Sequence, residues 1–196
     1  MEKEQYLSKL SSYQKLSVGL HAYISYAMYQ ADFMKLEKIA LNNTALGHFC
    51  YLAKGGGRIF TDDTENKQEI TLMFFQANDI LPDFKSISRY AKRQFFIQFS
   101  EDTTLLAIPV KHGNNMHRLF RESAILSAEI NAELLAKVIV MMIGLKTQNA
   151  DQRLNKLLAS FPMVFSQTAV KDVASYLGIH SSTLSAMRNR NYKHTP

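Results

Sequence analysis

The sequence predicts an α+β protein in which helices flank a sandwich or roll of short antiparallel strands and a small all-α unit follows. Three observations predict this class. Short apolar segments alternate with turn-prone residues between residues 48 and 109. A long apolar helical pattern follows at residues 124–145, and a helix–glycine–helix pattern lies at residues 174–190. With 196 residues, 46% of them apolar, the chain can form one domain or two small ones.

Residues 1–46 are predicted to be helical, because apolar side chains recur there at helical spacing. The first set is Tyr6, Leu10, Tyr13 and Leu16. The second set is Phe33, Leu36, Ile39 and Ala40. We therefore expect amphipathic helices before the first strand.

The central part of the chain predicts short strands at residues 49–53, 58–60, 69–75, 94–99 and 105–108. Turn-prone segments at 54–57 and 61–66 separate them. Lys54-Gly-Gly-Gly57 favours a β-turn with a positive φ, since the Gly-Lys-Ser/Thr ending of a phosphate loop is absent from the sequence there. Strands of this length and spacing are typical of an antiparallel sandwich or roll.

Residues 124–145 carry two apolar stripes along one predicted helix. The first comprises Ala128, Ala132, Leu135, Ile139 and Met142. The second comprises Leu126, Ile130, Leu134, Val138, Met141 and Leu145. A surface helix needs only one buried face, so we expect one stripe to pack on its own domain and the second to form a homodimer interface. The alternative is a core helix buried on all sides.

Residues 151–161 predict a helix that ends at Pro162, and residues 174–190 then predict a helix-turn-helix. Gly178 accepts the positive φ of a tight turn between two helices. The small core is predicted to contain Val173, Ala174, Leu177, Ile179, Leu184 and Met187. The residues predicted to face outward are Ser181, Ser182, Ser185 and Ala186.

The net charge of +6 is concentrated in the last quarter of the chain. From residue 146 onward, seven basic residues outnumber the two acidic residues Asp151 and Asp172, an excess of five positive charges. A basic region beside a near-neutral body is typical of nucleic-acid-binding proteins. The alternative is a solvated surface whose charge only aids solubility.

Other classes of protein find little support. Cys50 is the single cysteine, which excludes an internal disulfide and a multi-cysteine metal site and suggests a reducing cytoplasm. The longest strongly apolar run, residues 138–145, is too short to cross a bilayer, and we expect no secretory signal. A cupin-like metal site needs a His-x-His pair, and none occurs in the sequence. His112 and His117 are expected to be solvated turn residues. We expect no enzyme activity, and no metal or other cofactor.

The order of these elements resembles the Crp/Fnr family of bacterial transcription regulators, over residues 20–190. Residues 153–162 are similar to the family's helix before the DNA-binding core, and residues 174–179 with 183–185 to its helix-turn-helix. Residues 98–108 are similar to the strand pair that closes the family's β-roll. The resemblance implies a jelly-roll sensor at 1–115, a dimerisation helix at 116–147 and a DNA-binding domain at 148–196. The implied partners are double-stranded DNA, a second copy of the chain and RNA polymerase.

The resemblance also raises the question of an effector. Members that bind cyclic nucleotides hold the phosphate with an arginine and the ribose with a carboxylate ten residues earlier. These positions fall on Arg93 and Asp83, the effector-pocket candidates. Pro82 stands in place of a glycine and removes an amide donor, while Phe95 fills space that the phosphate needs. We therefore expect no cAMP binding; a different small-molecule effector, or none, stays open.

The resemblance places a recognition helix in the major groove of DNA, where Ser181, Ser182 and Ala186 would face bases. Ala186 stands where many members have an arginine, so a bidentate contact to guanine is lost. The predicted DNA contacts, to bases or phosphates, are Thr168, Lys171, Ser181, Ser182, Thr183, Ser185, Arg188, Arg190 and Lys193. The rival hypothesis is a dimer of the same fold that binds proteins instead of DNA.

Overall fold

The computed structural model describes residues 2–41, 46–63, 65, 68–81, 88 and 90–193, with side chains through residue 190. Two helices come first, α1 (Glu2–Tyr13) and α2 (Val18–Ala27). The Ser17 side chain caps α2 by accepting the Leu20 N–H at 3.2 Å. Tyr6 of α1 is fully buried, and its hydroxyl donates to the Phe49 carbonyl at 2.7 Å. The first helix is thereby fixed to the strands that follow.

The strands are β1 (Tyr29–Phe33), β2 (Lys38–Ala40), β3 (His48–Lys54), β4 (Gly56–Asp63), β5 (Gln68–Gln76), β6 (Ile80–Leu81), β7 (Phe95–Phe99) and β8 (Thr103–Ile108). They form two four-stranded sheets with strand orders β1-β8-β3-β6 and β2-β7-β4-β5. Every pairing is antiparallel. The predicted α+β class and roll of short strands are therefore confirmed.

The helical prediction for residues 29–40 is wrong. These residues form β1 and β2, which pair with β8 and β7. Burial alternates residue by residue along β1, as a strand with one face on the core requires. Leu36 has a φ of 68°, which no right-handed helix contains. The helical spacing of Phe33, Leu36 and Ile39 spans two strands and the turn between them.

The roll interior is filled by apolar side chains from both sheets, among them Leu52, Ile59, Phe75, Phe95 and Ile97. Cys50 is also buried there, and burial raises the pKa of its thiol to about 12. The predicted turn at residues 54–57 is shorter than expected. Gly55 alone has a positive φ, 89°, whereas Gly56 and Gly57 begin β4.

Helix α3 (Val110–Leu119) leads into the long helix α4 (Glu122–Thr147). His112 and His117 lie on α3, so their assignment to a turn is wrong. His112 Nδ1 lies 3.1 Å from the Tyr23 hydroxyl, and His117 Nδ1 lies 3.0 Å from Ser123 Oγ. Across the described ranges, no cluster of side chains suited to a metal ion occurs.

Four helices complete the described chain: α5 (Ala150–Ser160), α6 (Val164–Gln167), α7 (Val170–Leu177) and α8 (Ser181–Lys193). Asn149 and Gln152 form a reciprocal capping box at the start of α5. Helix α7 contacts β5, so the last unit lies directly against the roll. No helix in the described part of the chain is long and apolar enough to span a membrane.

Candidate nucleic-acid interface

Helices α7 and α8 form the predicted helix-turn-helix. Gly178 ends α7 with a φ of 64°, and its N–H donates to the Ser175 carbonyl at 3.1 Å. The Ile179 N–H donates to the Ala174 carbonyl at 3.1 Å, which completes the helix stop. The predicted core side chains are buried or partly buried together: Val173, Ala174, Leu177, Ile179, Leu184 and Met187. Because this core fixes the two helices, α8 presents a rigid outer face.

The outer face of α8 is hydroxyl-rich. Ser181, Ser182, Thr183 and Ser185 are all exposed, as is Ala186. Ser185 donates its hydroxyl proton to the Ser181 carbonyl at 2.9 Å, so in this rotamer it can only accept a hydrogen bond from another molecule. Ser182 Oγ lies 3.0 Å from His180 Nδ1. The predicted base-facing residues Ser181, Ser182 and Ala186 therefore offer only short side chains, none of which can contact a base in a bidentate way.

The basic residues of this unit differ in their surroundings. Arg190 is exposed on α8. The Arg188 guanidinium lies over the Phe165 ring at 4.3 Å from its centroid, so this side chain also packs on α6. Lys193 belongs to α8, and its side chain lies outside the described side chains. Among the described side chains that are predicted to contact phosphates from α8, Arg190 is therefore the exposed one, whereas Arg188 is half-buried.

The two contacts predicted near the start of the motif lie towards the roll. Lys171 is exposed on α7 and Thr168 is half-buried at the end of α6. Both line a cavity of about 190 Å³ that is also lined by Lys38 and Glu69 of the roll. These two residues thus lie at the junction of the roll and the helix-turn-helix.

A buried ion-pair network joins these two parts of the protein. Arg58 of β4 is 3% exposed, and its Nη1 lies 3.2 Å from Asp172 Oδ1 of α7. Its guanidinium also pairs with Glu69 of β5. Thr71 Oγ1 accepts from Nη1 at 2.9 Å, and Gln98 accepts from Nε at 3.0 Å. A buried guanidinium with carboxylate and neutral partners is stable only while this set is complete.

The Ser175 hydroxyl adds a second link between α7 and the roll. It accepts the Thr71 N–H at 3.0 Å and donates to the Glu69 carbonyl at 3.2 Å. The Phe74 side chain of β5 lies within the apolar core of the helix-turn-helix, in contact with Tyr176. Helix α7 therefore packs on β5 through both polar and apolar contacts.

The pKa values of the two carboxylates of the network, Asp172 and Glu69, are shifted in opposite directions. Burial raises the pKa of Asp172 above its ordinary value, outweighing the nearby charges of Arg58 and Lys171. Burial also acts to raise the pKa of Glu69, but hydrogen bonds and charges from Lys38 and Arg58 outweigh it and lower that pKa. Glu69 is therefore the more strongly held anion of the pair.

The effector-pocket candidates are not brought together within the described residues. Asp83 and Pro82 lie outside them. Arg93 is exposed, and its guanidinium donates to the Asp62 carbonyl at 3.3 Å. Phe95 is buried in the roll core. The phosphate-binding role of Arg93 stays an untested prediction.

The assignment of the dimer stripe on α4 needs correction. Leu126 and Ile130 are buried in the chain's own core, with α1 and α2. Leu134, Val138 and Met141 are half-buried, and a Leu145 methyl lies 3.3 Å from the site of a Cβ on Gly178. Leu126 and Ile130 therefore face their own chain, whereas Leu145 at the other end of the stripe is 44% exposed. The exposed stripe is the other one, in which Leu135, Ile139 and Met142 are 59%, 46% and 49% exposed.

Sequence reasoning missed the junction between roll and helix-turn-helix. In the sequence, Asp172 differs from its neighbours only as one of two acidic residues in a basic region. Arg58 lies in an apolar strand segment, and a charge at such a position is the one signal that predicts a buried ion pair. The partners Glu69 and Asp172 are separated by about half the chain, so spacing could not have paired them.

Comparisons with known proteins identify this fold. No protein-family model matches the sequence, and no curated protein sequence matches it. A crystal structure assigned to the Crp/Fnr family of transcriptional regulators, from Eubacterium rectale ATCC 33656, is 19% identical with a TM-score of 0.69, covering 91% of this chain and 85% of that one.

Two further solved structures agree. FixK2 from Bradyrhizobium japonicum is 14% identical with a TM-score of 0.66, covering 85% of each chain. A mutant of CooA from Carboxydothermus hydrogenoformans is 19% identical with a TM-score of 0.61, covering 95% of this chain and 84% of that one. The chain thus has the fold of Crp/Fnr regulators, a mixed helix and antiparallel-sheet fold with a helix-turn-helix.

Proposed function

We propose that this protein is a transcription regulator of the Crp/Fnr type that binds double-stranded DNA as a homodimer in the cytoplasm. The observation that carries the proposal is the exposed, hydroxyl-rich and basic face of α8, held on a packed helix-turn-helix. The fold supports it, because the structures of the same architecture include a regulator assigned to this family. Contact with RNA polymerase is part of the same proposal.

The exposed stripe of α4 is the proposed dimer interface. Its members are Ile125, Ala128, Ala132, Leu135, Ile139 and Met142. They recur at alternating spacings of three and four residues, the heptad pattern of a two-stranded coiled coil. Each large member is about half exposed in the single chain, so pairing with a second copy removes apolar surface from water. A two-fold pair of α4 helices would place two α8 helices on one side of a DNA duplex.

The proposed DNA contacts fall into two kinds. Arg190 and Lys193 bind phosphates and position the protein, together with the exposed edge of Arg188. Ser181, Ser182 and Thr183 face base edges, where hydroxyl groups can accept or donate. Ala186 contributes an apolar contact, and the Ser185 hydroxyl accepts a hydrogen bond from a donor on a base edge. Because hydroxyls bond many base edges, we expect sequence preference to be weaker than with a bidentate arginine.

We propose that cAMP is not an effector of this protein. Phe95 fills the roll core at the position where the family's phosphate cassette needs small residues. Any effector would act by shifting how the two α4 helices present the α8 pair, through its different affinity for two arrangements. Metal or cofactor chemistry and enzyme activity form no part of the proposal.

Fluorescence anisotropy with labelled random-sequence duplex DNA tests the proposal. We expect binding at low salt and a linear fall of log K with log salt concentration, because phosphate contacts release counterions. No binding at low salt would overturn the proposal. The rival hypothesis, a dimer of the same fold that binds proteins instead of DNA, would then be favoured. A thermal-shift series with cyclic nucleotides forms the second arm, in which a clear stabilisation by cAMP would contradict the account of Phe95.

A further inference from the structure

A groove of about 530 Å³ lies between α4, β5 and the helix-turn-helix unit. Three other cavities in the described part of the chain are smaller, at about 190, 220 and 50 Å³. Its volume falls within the range of sites that hold small organic ligands, about 300–1,000 Å³. The groove lies outside the roll, so it is a different place from the cassette position at Arg93.

The walls of the groove are mainly apolar. Phe74 of β5, Met141 of α4 and Phe161 after α5 line it, with Tyr176 and Leu177 of α7. Gly144 of α4 is buried and lines the same space. The glycine leaves this part of the wall open, since a Cβ at this position would contact only the Gln148 side chain. All three parts of the fold thus contribute wall atoms.

The proposed dimer seam leaves the groove open. Leu135, Ile139 and Met142 of the seam are absent from the groove lining, which uses Val140, Met141 and Gly144 of the same helix. The two sets lie on different faces of α4. Pairing of α4 with a second copy along the seam therefore does not occupy the groove.

The charges of the groove are unevenly distributed. Lys137 of α4 is neutralised by Glu133 at 2.7 Å and by Asp79 at 3.7 Å. Arg153 and Lys156 of α5 lie elsewhere on the lining, and neither forms an ion pair within the described ranges. Arg153 uses two of its N–H groups on the Leu177 and Gln148 carbonyls. An apolar space with uncompensated cations on the α5 side favours a ligand with an apolar body and an anionic group.

We propose that this groove is an effector site for an amphipathic organic anion, such as a medium-chain carboxylate. The apolar body lies against Phe74 and Met141, and the carboxylate accepts from Lys156 and Arg153. A ligand there contacts α4, β5 and α7 at once, so it couples the roll to the helix-turn-helix. The binding site stands independently of DNA binding, whereas its effect on DNA rests on the proposed function.

The test uses 8-anilino-1-naphthalenesulfonate, an amphipathic anion whose fluorescence rises in apolar sites, and decanoate as its competitor. We expect saturable dye binding to the intact protein and displacement of the dye by decanoate. The variant Gly144→Leu fills the groove and should weaken dye binding by about tenfold or more. A Cβ at residue 144 would lie 3.0 Å from Gln148 Oε1, a flexible side-chain end, so the fold should tolerate the change.

Two comparisons make the outcome decisive. Lys156→Gln should weaken decanoate binding by about fivefold and leave decanol binding unchanged, because only decanoate carries the charge. Leu135→Gln, on the seam, should not reduce dye binding. The proposed site is wrong if Gly144→Leu still binds the dye while its thermal unfolding is unchanged. It is also wrong if Leu135→Gln no longer binds the dye. Because these measurements contain no DNA, their failure is distinct from failure of the proposed function.

Discussion

Asp172 of the first motif helix and Arg58 of the roll form an ion pair across 3.2 Å, with both side chains almost fully buried. The pair is one of several contacts that hold the helix-turn-helix on β4 and β5, beside the Ser175 hydroxyl and the Phe74 ring. Breaking one partner of a buried pair leaves the other charge uncompensated in a poorly solvated place. The docking of the two parts therefore depends on this contact.

Asp172→Asn is expected to destabilise the protein by about 3 kcal/mol, because it leaves the Arg58 charge only partly compensated. Urea unfolding followed by circular dichroism measures the change. Asp151→Asn is the matched control, since Asp151 is exposed in the first turn of α5. The control should cost less than about 1 kcal/mol. If both variants lose the same free energy of unfolding, the buried pair stabilises the fold no more than an exposed aspartate does.

Glu69→Gln is expected to destabilise the protein at neutral pH, with a smaller effect in acid. Hydrogen bonds and charges from Lys38 and Arg58 outweigh burial and lower the pKa of Glu69 below its ordinary value of 4.5. A group with a lowered pKa stabilises the fold above its ordinary value, and this contribution is lost as pH falls through the lowered pKa. Unfolding free energies of both proteins between pH 7 and the acid limit of folding check this. If the difference in unfolding free energy between the two proteins grows as the pH falls, the pKa of Glu69 is not lowered and the prediction is wrong.

Leu135→Asp is expected to convert the dimer into a monomer, since it places a charge in the centre of the proposed seam. Sedimentation equilibrium measures the mass. Asn131→Asp adds the same charge at an exposed position outside the apolar stripe and should remain dimeric. If Leu135→Asp stays a dimer, the interface lies elsewhere on the chain.

Arg188→Gln and Arg190→Gln are expected to act differently although each removes one charge. Arg190→Gln should reduce the slope of log K against log salt by about two, because it deletes one proposed phosphate contact in each subunit of the proposed dimer. Arg188→Gln should also lower stability by about 0.5–1 kcal/mol, because its guanidinium lies on the Phe165 ring. DNA titrations and urea unfolding of both variants separate the two effects. If only Arg190→Gln lowers stability, then Arg190 and not Arg188 makes the packing contact, which would contradict this prediction.

Local patterns predicted much of the fold. The turn at Gly178 and the buried positions Leu184 and Met187 follow from spacing and from the conformational freedom of glycine, both local properties. The strand at residues 69–75 was equally predictable, since β-branched and aromatic residues cluster there, and the strand at 105–108 is a short apolar run. The strands within residues 29–40 could not be predicted in this way. They have five and three residues and are joined by a turn, so their apolar side chains recur at helical spacing.

Choices that depend on tertiary contacts could not be read from the sequence. Both stripes of α4 are apolar, so only the positions of the roll and α1 decide that Leu126 faces inward and Leu135 outward. The pairing of Arg58 with Asp172 depends on the docking of α7 on β5, which no local pattern encodes. The hydroxyl face of α8 was predicted, whereas the contact of Arg188 with Phe165 was not.

Selection of bound DNA from a random duplex library tests the central claim most directly. A two-fold pair of α8 helices should enrich an inverted repeat whose half-site centres lie one helical turn apart, about 34 Å, or a multiple of it. The half-sites should be short and should accept several bases at each position, because the proposed base-facing residues are serines and a threonine. Enrichment of such a repeat by the intact protein, and its loss in Leu135→Asp, is the predicted result. A library that stays random after repeated rounds at a salt concentration that suppresses non-specific binding would contradict the account.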